Sequence, residues 1–236
     1  EAPINAAESP VRPGDHIAFV GNTFADQLRS HGFLETLLLQ RSAGNPVSIR
    51  NLGWAGDMLT ARDRPTNFPT EASTLAAHKT DVIIACFGMG ESFAGESALV
   101  EFKNNLAAFI ASHLGKKYNG KSEVRLVLVS PIAYENLGLR TPRWQERNRE
   151  LSAYTRIMSE TASKMGVPFV DLYGPTTELI KDKNTPSLTD NGINLNDYGY
   201  WCVSRTLADA LLPGESPWLL SVDAKTGRAS GRGANI

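Results

Sequence analysis

Five short apolar runs set the frame of this chain: HIAFVGN (16–22), VSIRNLG (47–53), DVIIACFG (81–88), VRLVLVSP (124–131) and VPFVDLYG (167–174). Most are apolar continuously rather than at every second position. A strand that alternates buries one face, whereas a strand apolar throughout must be covered on both, as in a parallel sheet clad with helices. Parallel neighbours need long crossovers, and the intervening segments have the matching helical period. Residues 24–42 bring Phe24, Leu28, Phe33, Leu37 and Leu38 near one side, and 96–117 do the same with Leu99, Phe102, Leu106, Phe109 and Ile110. Segments 143–166 and 196–212 complete the set. The predicted class is α/β: a three-layer α/β/α sandwich around a five-stranded parallel sheet.

No internal repeat, low-complexity tract or linker divides the 236 residues. The expected organisation is a leader over 1–14, one domain over 15–213 and a tail over 214–236. Within the tail, SVDAKTGRAS (221–230) reads as a short β-hairpin around Lys225–Thr226–Gly227, a trailing appendage or the link to a further domain. The start, EAPINAAESPVRPGD, lacks the positive–apolar pattern of a signal peptide, but its Ala/Pro/Ser-rich composition suits an exported protein.

A formal net charge of −1, from 24 basic and 25 acidic residues, gives no basic face for nucleic acid. No apolar run approaches the roughly 18 residues of a membrane span. Cys86 and Cys202 read as small buried hydrophobes rather than a disulfide framework. His16, His31, His78 and His113 are too scattered for zinc spacing, so neither a metal nor a cofactor is expected.

In an open parallel sheet, ligands sit beyond the carboxyl ends of the strands. The segments there are Gly21–Asn22–Thr23–Phe24, Gly53–Trp54–Ala55–Gly56–Asp57, Gly88–Met89–Gly90–Glu91–Ser92, Ser130–Pro131 and the 187–197 loop. Three of them combine glycine with short polar residues, as a site needs when backbone N–H groups must approach a ligand.

Taken in order, these blocks resemble the SGNH, or GDSL-type, hydrolase superfamily over about residues 15–212. AFVGNTFAD resembles its Gly-Asp-Ser nucleophile block, NLGWAGDM its second block and CFGMGES its Gly-x-Asn-Asp block. NGINLNDYGY resembles its final Asp-x-x-His-Leu-Asn block. The resemblance implies a flavodoxin-like sheet and acyl transfer, in which a Ser attacks an ester, a His takes its proton, an Asp orients the His and an oxyanion hole holds the charge. On that pattern Thr23 takes the Ser position and Asn22 the preceding Asp. Gly56 supplies the oxyanion N–H. Gly90 takes the oxyanion Asn position and Glu91 its neighbouring Asp, while Asn191 takes the triad Asp position and Asn194 the His. The chain is most similar to a divergent branch carrying Gly-Asn-Thr in the first block and Asn-Gly-Ile-His-Leu in the last; Gly90 and Asn194 depart even from that.

Asn accepts no proton at neutral pH, and a Thr hydroxyl needs a base. Loss of one triad member leaves about 10³–10⁴ over water. The leading expectation is therefore an ester hydrolase by ancestry, of the carbohydrate O-acyl type, severely impaired and still able to bind a small ester or acylated carbohydrate. One alternative is an active esterase in which Asp190 or Glu91 serves Thr23 as base; another is a structural module of a larger exported protein. Asp57, Glu91 and Asp190 read first as helix-capping acids, with a carboxylate pair or a cation site as the sharper option. Trp54 reads as either an apolar wall for a ligand or core. Trp144, with Arg140, Arg143, Arg147 and Arg149, reads as a solvated helix start or a lid for an anionic sugar. Oligomeric state is left open.

Overall fold

The computed structural model describes residues 9–214 and 219–232. Its sheet contains β1 (His16–Gly21), β2 (Ser48–Asn51), β3 (Val82–Cys86), β4 (Arg125–Val129) and β5 (Phe169–Val170), all parallel, in the order β2-β1-β3-β4-β5. The helices are α1 (Thr23–Gln27), α2 (Phe33–Arg41), α3 (Glu71–Ala77), α4 (Leu99–His113), α5 (Trp144–Met165), α6 (Tyr173–Lys181) and α7 (Asp197–Leu211).

The continuous apolar runs divide between two cores, as the pleat requires. Ile17 and Phe19 of β1, Val82, Ile84 and Cys86 of β3, and Val127 and Val129 of β4 face one layer. That layer is built with Leu34 and Leu38 of α2 and with Val203, Leu207 and Leu211 of α7. Ala18 and Val20, Ile83 and Ala85, and Leu126 and Leu128 face the other, where Leu75 of α3, Phe102, Leu106 and Ile110 of α4, and Tyr154 and Met158 of α5 cover them. The three-layer parallel sandwich inferred from sequence is thus the observed fold.

Local expectations shift in three places. The single helix over 24–42 is two, interrupted at 28–32, where Ser30 N–H reaches Gln27 O (2.9 Å) and Gly32 starts α2 afresh. Glycine is the weakest non-proline helix former, and the restart changes the phase: Leu34 and Leu38 are buried, whereas Phe33 is exposed. Helices α3 and α6 lay outside the expected set; Thr70 Oγ1 caps α3 by accepting Ser73 N–H (3.1 Å), and Asp171 Oδ1 accepts Gly174 N–H (3.1 Å) at the start of α6. Strand β5 has two residues instead of eight, because Pro168 lacks a ladder N–H and the chain enters α6 at Tyr173. Ahead of β1, Val11 is fully buried against α7 and its N–H donates to Leu211 O (2.9 Å); residues 1–8 of the expected leader lie outside the described residues.

Beyond the sandwich, β6 (Leu219–Val222) and β7 (Ala229–Arg232) form an antiparallel hairpin. Asp223 accepts N–H groups from Lys225 (2.8 Å) and Thr226 (3.2 Å) in its turn, which is the hairpin read from sequence.

Candidate active site

A cleft of about 130 Å³ opens at the carboxyl ends of β1, β3 and β4. All five segments singled out in the sequence reach it, through Thr23, Gly56, Gly90, Ser130 and Asn194 among others. The sheet does this: parallel strands end on one side, so the loops that follow them must converge there.

Thr23 is the first residue of α1. Asn22 caps that helix, its Oδ1 accepting Phe24 N–H (3.1 Å), and its own N–H donates to Cys86 O (3.1 Å). Gly21 makes the turn possible: its φ is +132° and a Cβ there would lie 2.1 Å from Cys86 O. Thr23 Oγ1 accepts a long hydrogen bond from Gly56 N–H (3.3 Å), the donor assigned to the oxyanion hole. Among the described residues no imidazole or carboxylate hydrogen-bonds that hydroxyl. Phe24, on the cleft wall, stacks on Tyr200 of α7, whose hydroxyl donates to Phe24 O (3.1 Å).

Gly90 has ordinary helical dihedrals (φ −62°, ψ −47°), so its backbone would accept a side chain. The obstacle is Met58, whose Cγ lies 2.9 Å and Sδ 3.3 Å from where a Cβ would stand. The thioether fills the direction in which an oxyanion side chain would leave the backbone. Glu91 does not line the cleft. Its carboxylate accepts Leu59 N–H (2.9 Å) and Gly88 N–H (2.8 Å), tying the second and third loops together. Burial raises its pKa, opposed by those backbone donors. Next to it, Ser92 is fully buried and holds Arg147: Nη1 donates to Ser92 O (3.0 Å) and Nη2 to Ser92 Oγ (2.8 Å).

The 187–197 loop closes on itself. Thr189 and Leu195 form an antiparallel bridge, and Asp190 N–H donates to Asn194 O (3.0 Å). Asn196 caps α7 by accepting Gly199 N–H (2.9 Å) and donates to Ser187 O (2.8 Å). Asn194 lines the cleft, and its amide makes no hydrogen bond to the described residues. Asn191 points into its own turn, its Oδ1 accepting Ile193 N–H (3.2 Å) and Asn194 N–H (2.9 Å). The loop is anchored by Glu135, which sequence reasoning passed over. Its buried carboxylate accepts N–H groups of Leu188 (3.1 Å) and Thr189 (2.8 Å) and hydroxyls of Thr189 (2.5 Å) and Ser187 (3.1 Å). No local motif marks such a residue, because its partners lie more than fifty positions away.

The remaining acids are occupied or remote. Asp57 lines the cleft but is buried in a two-point ion pair with Arg64 (2.8 and 2.6 Å). Asp190 is exposed, and neither it nor Glu91 meets Thr23 by a hydrogen bond, so the structure does not assemble the carboxylate–threonine pair considered from sequence. Trp54 is neither core nor cleft wall: it is 39% exposed, edge-on to Phe68, with the Arg64 guanidinium 4.6 Å over its ring. No arginine lines the cleft among the described residues. Of the cluster, Arg147 is buried, Arg143 approaches Glu146 (3.7 Å), and Arg140 donates to Asp190 O (3.4 Å). Cys86, at the cleft floor, has its thiol pushed far up by burial and stays protonated.

The site therefore has a shaped cavity, a backbone donor and a hydroxyl, with no proton acceptor at that hydroxyl among the described residues. No curated sequence matches the chain. In solved structures, the acetylxylan esterase Axe2 from Geobacillus stearothermophilus is similar at 18% identity and a TM-score of 0.64, over 86% of this chain and 96% of that one. The gut microbial diltiazem-metabolizing enzyme BT4096 is similar at 19% identity and a TM-score of 0.61, over 97% of this chain and 54% of that one. At these identities the likeness is one of fold. The GDSL-like Lipase/Acylhydrolase family matches residues 14–202, most of the chain and all of the cleft-lining segments. This chain belongs to the GDSL-like lipase/acylhydrolase family.

Proposed function

We propose that this protein is a divergent member of its family, of the branch with Gly-Asn-Thr in the first block, that binds a short acyl ester carried on a carbohydrate and hydrolyses it at most at a residual rate. The observation that carries the reading is at Thr23: the hydroxyl meets the Gly56 N–H (3.3 Å) and, among the described residues, no base. A hydroxyl without a base is a poor nucleophile, and Asn194 offers hydrogen bonds rather than a proton acceptor. The cleft itself persists. Its volume of about 130 Å³ lies below the ~300–1,000 Å³ of drug-sized pockets, which suits an acetyl-sized group and not a long acyl chain. The fold shared with an acetylxylan esterase supports the carbohydrate ester as the class to test first.

The test has two arms. Titration of the protein with acetylated and with fully deacetylated xylo-oligosaccharide, followed by NMR, is expected to show binding that depends on the acetyl group. Turnover of p-nitrophenyl acetate is expected to match buffer. Turnover well above buffer that Thr23→Ala abolishes would overturn the loss of chemistry; no binding of either sugar would overturn the ligand.

A further inference from the structure

Phe93 is 58% exposed and also lines the cleft. Exposed phenylalanines are common, but this one is held. The Arg147 guanidinium lies 3.9 Å from the ring centroid, and Arg147 is itself 8% exposed, pinned by the two hydrogen bonds to Ser92 and by an ion pair with Glu150. Arg147 stands at the start of a 22-residue helix, so the clamp is anchored in the sandwich rather than in a loop. The outcome is a flat apolar surface fixed beside the cavity, at the cost of leaving an aromatic ring in water. A second observation lies at the same cleft: the Asn194 amide, unengaged by the described residues, offers one acceptor and two donors.

An aromatic ring and an amide unengaged by the described residues, lining one cleft, fit one ligand class well. A pyranose ring presents a patch of C–H groups on a face and hydroxyls around its edge, matching ring to ring and hydroxyl to amide. The cavity holds only a small group, so whatever carries the acyl group must lie outside it, against Phe93. We propose that Phe93, backed by Arg147, is the platform for the sugar ring bearing the acyl group, with Asn194 bonding its hydroxyls. Phe93 thus determines specificity by touching the ligand, and Arg147 is a positioning residue acting through it. This inference rests on the carbohydrate-ester reading above.

The experiment compares parent, Phe93→Ala, Phe93→Tyr and Arg147→Met in titrations with acetylated xylotriose and, separately, with ethyl acetate, which has the ester and no sugar. Phe93→Ala is expected to weaken the sugar ester about five- to tenfold and ethyl acetate by much less. Phe93→Tyr keeps the ring face and is expected to bind like the parent. Arg147→Met is expected to weaken the sugar ester alone, a selectivity that general loosening of the fold would not produce. Equal sugar-ester affinity in parent and Phe93→Ala, with thermal melts showing both folded, would overturn the platform. Failure of the parent to bind either probe would instead overturn the ester-binding reading on which it rests.

Discussion

At the scale of single residues, the two positions read from sequence as departures from the family pattern differ in how deeply they are built in. Asn194 is exposed at the cleft, with its amide unengaged by the described residues, so a side chain there faces open space rather than core. Gly90 is different, because Met58 stands 2.9 Å from the missing Cβ. Asn194→His is expected to raise p-nitrophenyl acetate turnover above the parent. Adding an oxyanion donor at 90 is worth about 10²–10³ in principle. Gly90→Asn on its own is expected to lower the melting temperature by crowding Met58, and Met58→Ala to recover most of that loss. A Gly90→Asn variant as stable without the Met58 change as with it would show that the thioether swings aside freely. That residue 194 would reach the cleft was legible from the block order; the place of Met58 was not, since nothing in NLGWAGDM says which way its side chain turns.

At the scale of elements, the site is assembled by clamps between loops that are distant in the chain. Glu91 joins the loop after β2 to the loop after β3, Arg147 joins α5 to the latter, and Glu135 holds the loop that carries Asn191 and Asn194. Glu135→Ala leaves two backbone N–H groups without an acceptor in a buried setting and is expected to cost about 3 kcal/mol. Hydrogen exchange at Leu188 and Thr189 is expected to rise well beyond the global change; uniform acceleration across the sheet would show that Glu135 stabilises the fold without ordering this loop. The strands and long helices were readable from periodicity, and so was the cleft's address at their ends. The restart at Gly32 and the two short helices were not, because caps and breaks involve a few atoms that an apolar period does not register.

At the scale of the whole molecule, two cores flank one sheet, and α3 is secured to α4 by Glu71. Arg62 Nη1 donates to Glu71 (2.5 Å), and His113 Nε2 lies 3.6 Å from it. Burial alone would raise the Glu71 pKa, but the His113 contact and the Arg62 charge outweigh it and hold the carboxyl below its ordinary value of 4.5. A depressed folded pKa means that the unfolded chain binds the proton first as pH falls. Glu71 therefore contributes stability above about pH 4.5 that is lost as pH drops through its lower folded value. Glu71→Gln is expected to be less stable than the parent at pH 7 by about 1–3 kcal/mol, with the gap narrowing below pH 4.5. Denaturant unfolding at both pH values checks this, and a gap that stays constant would remove Glu71 from the acid response.

The five apolar runs determined by themselves that the chain forms a parallel sheet covered on both faces. The order of the glycine-bearing blocks determined where the cleft lies, because parallel strands all deliver their loops to one side. What only the tertiary structure decided is the state of that cleft: Asp57 bound to Arg64, Glu91 turned to the backbone, Asn191 folded into its own turn, Met58 standing at Gly90 and Phe93 pinned open by Arg147. The reason is physical. Burial of apolar side chains repeats along the chain and leaves a period in the sequence, whereas a hydrogen bond or a close contact between distant segments is a single event in space, with no period to read.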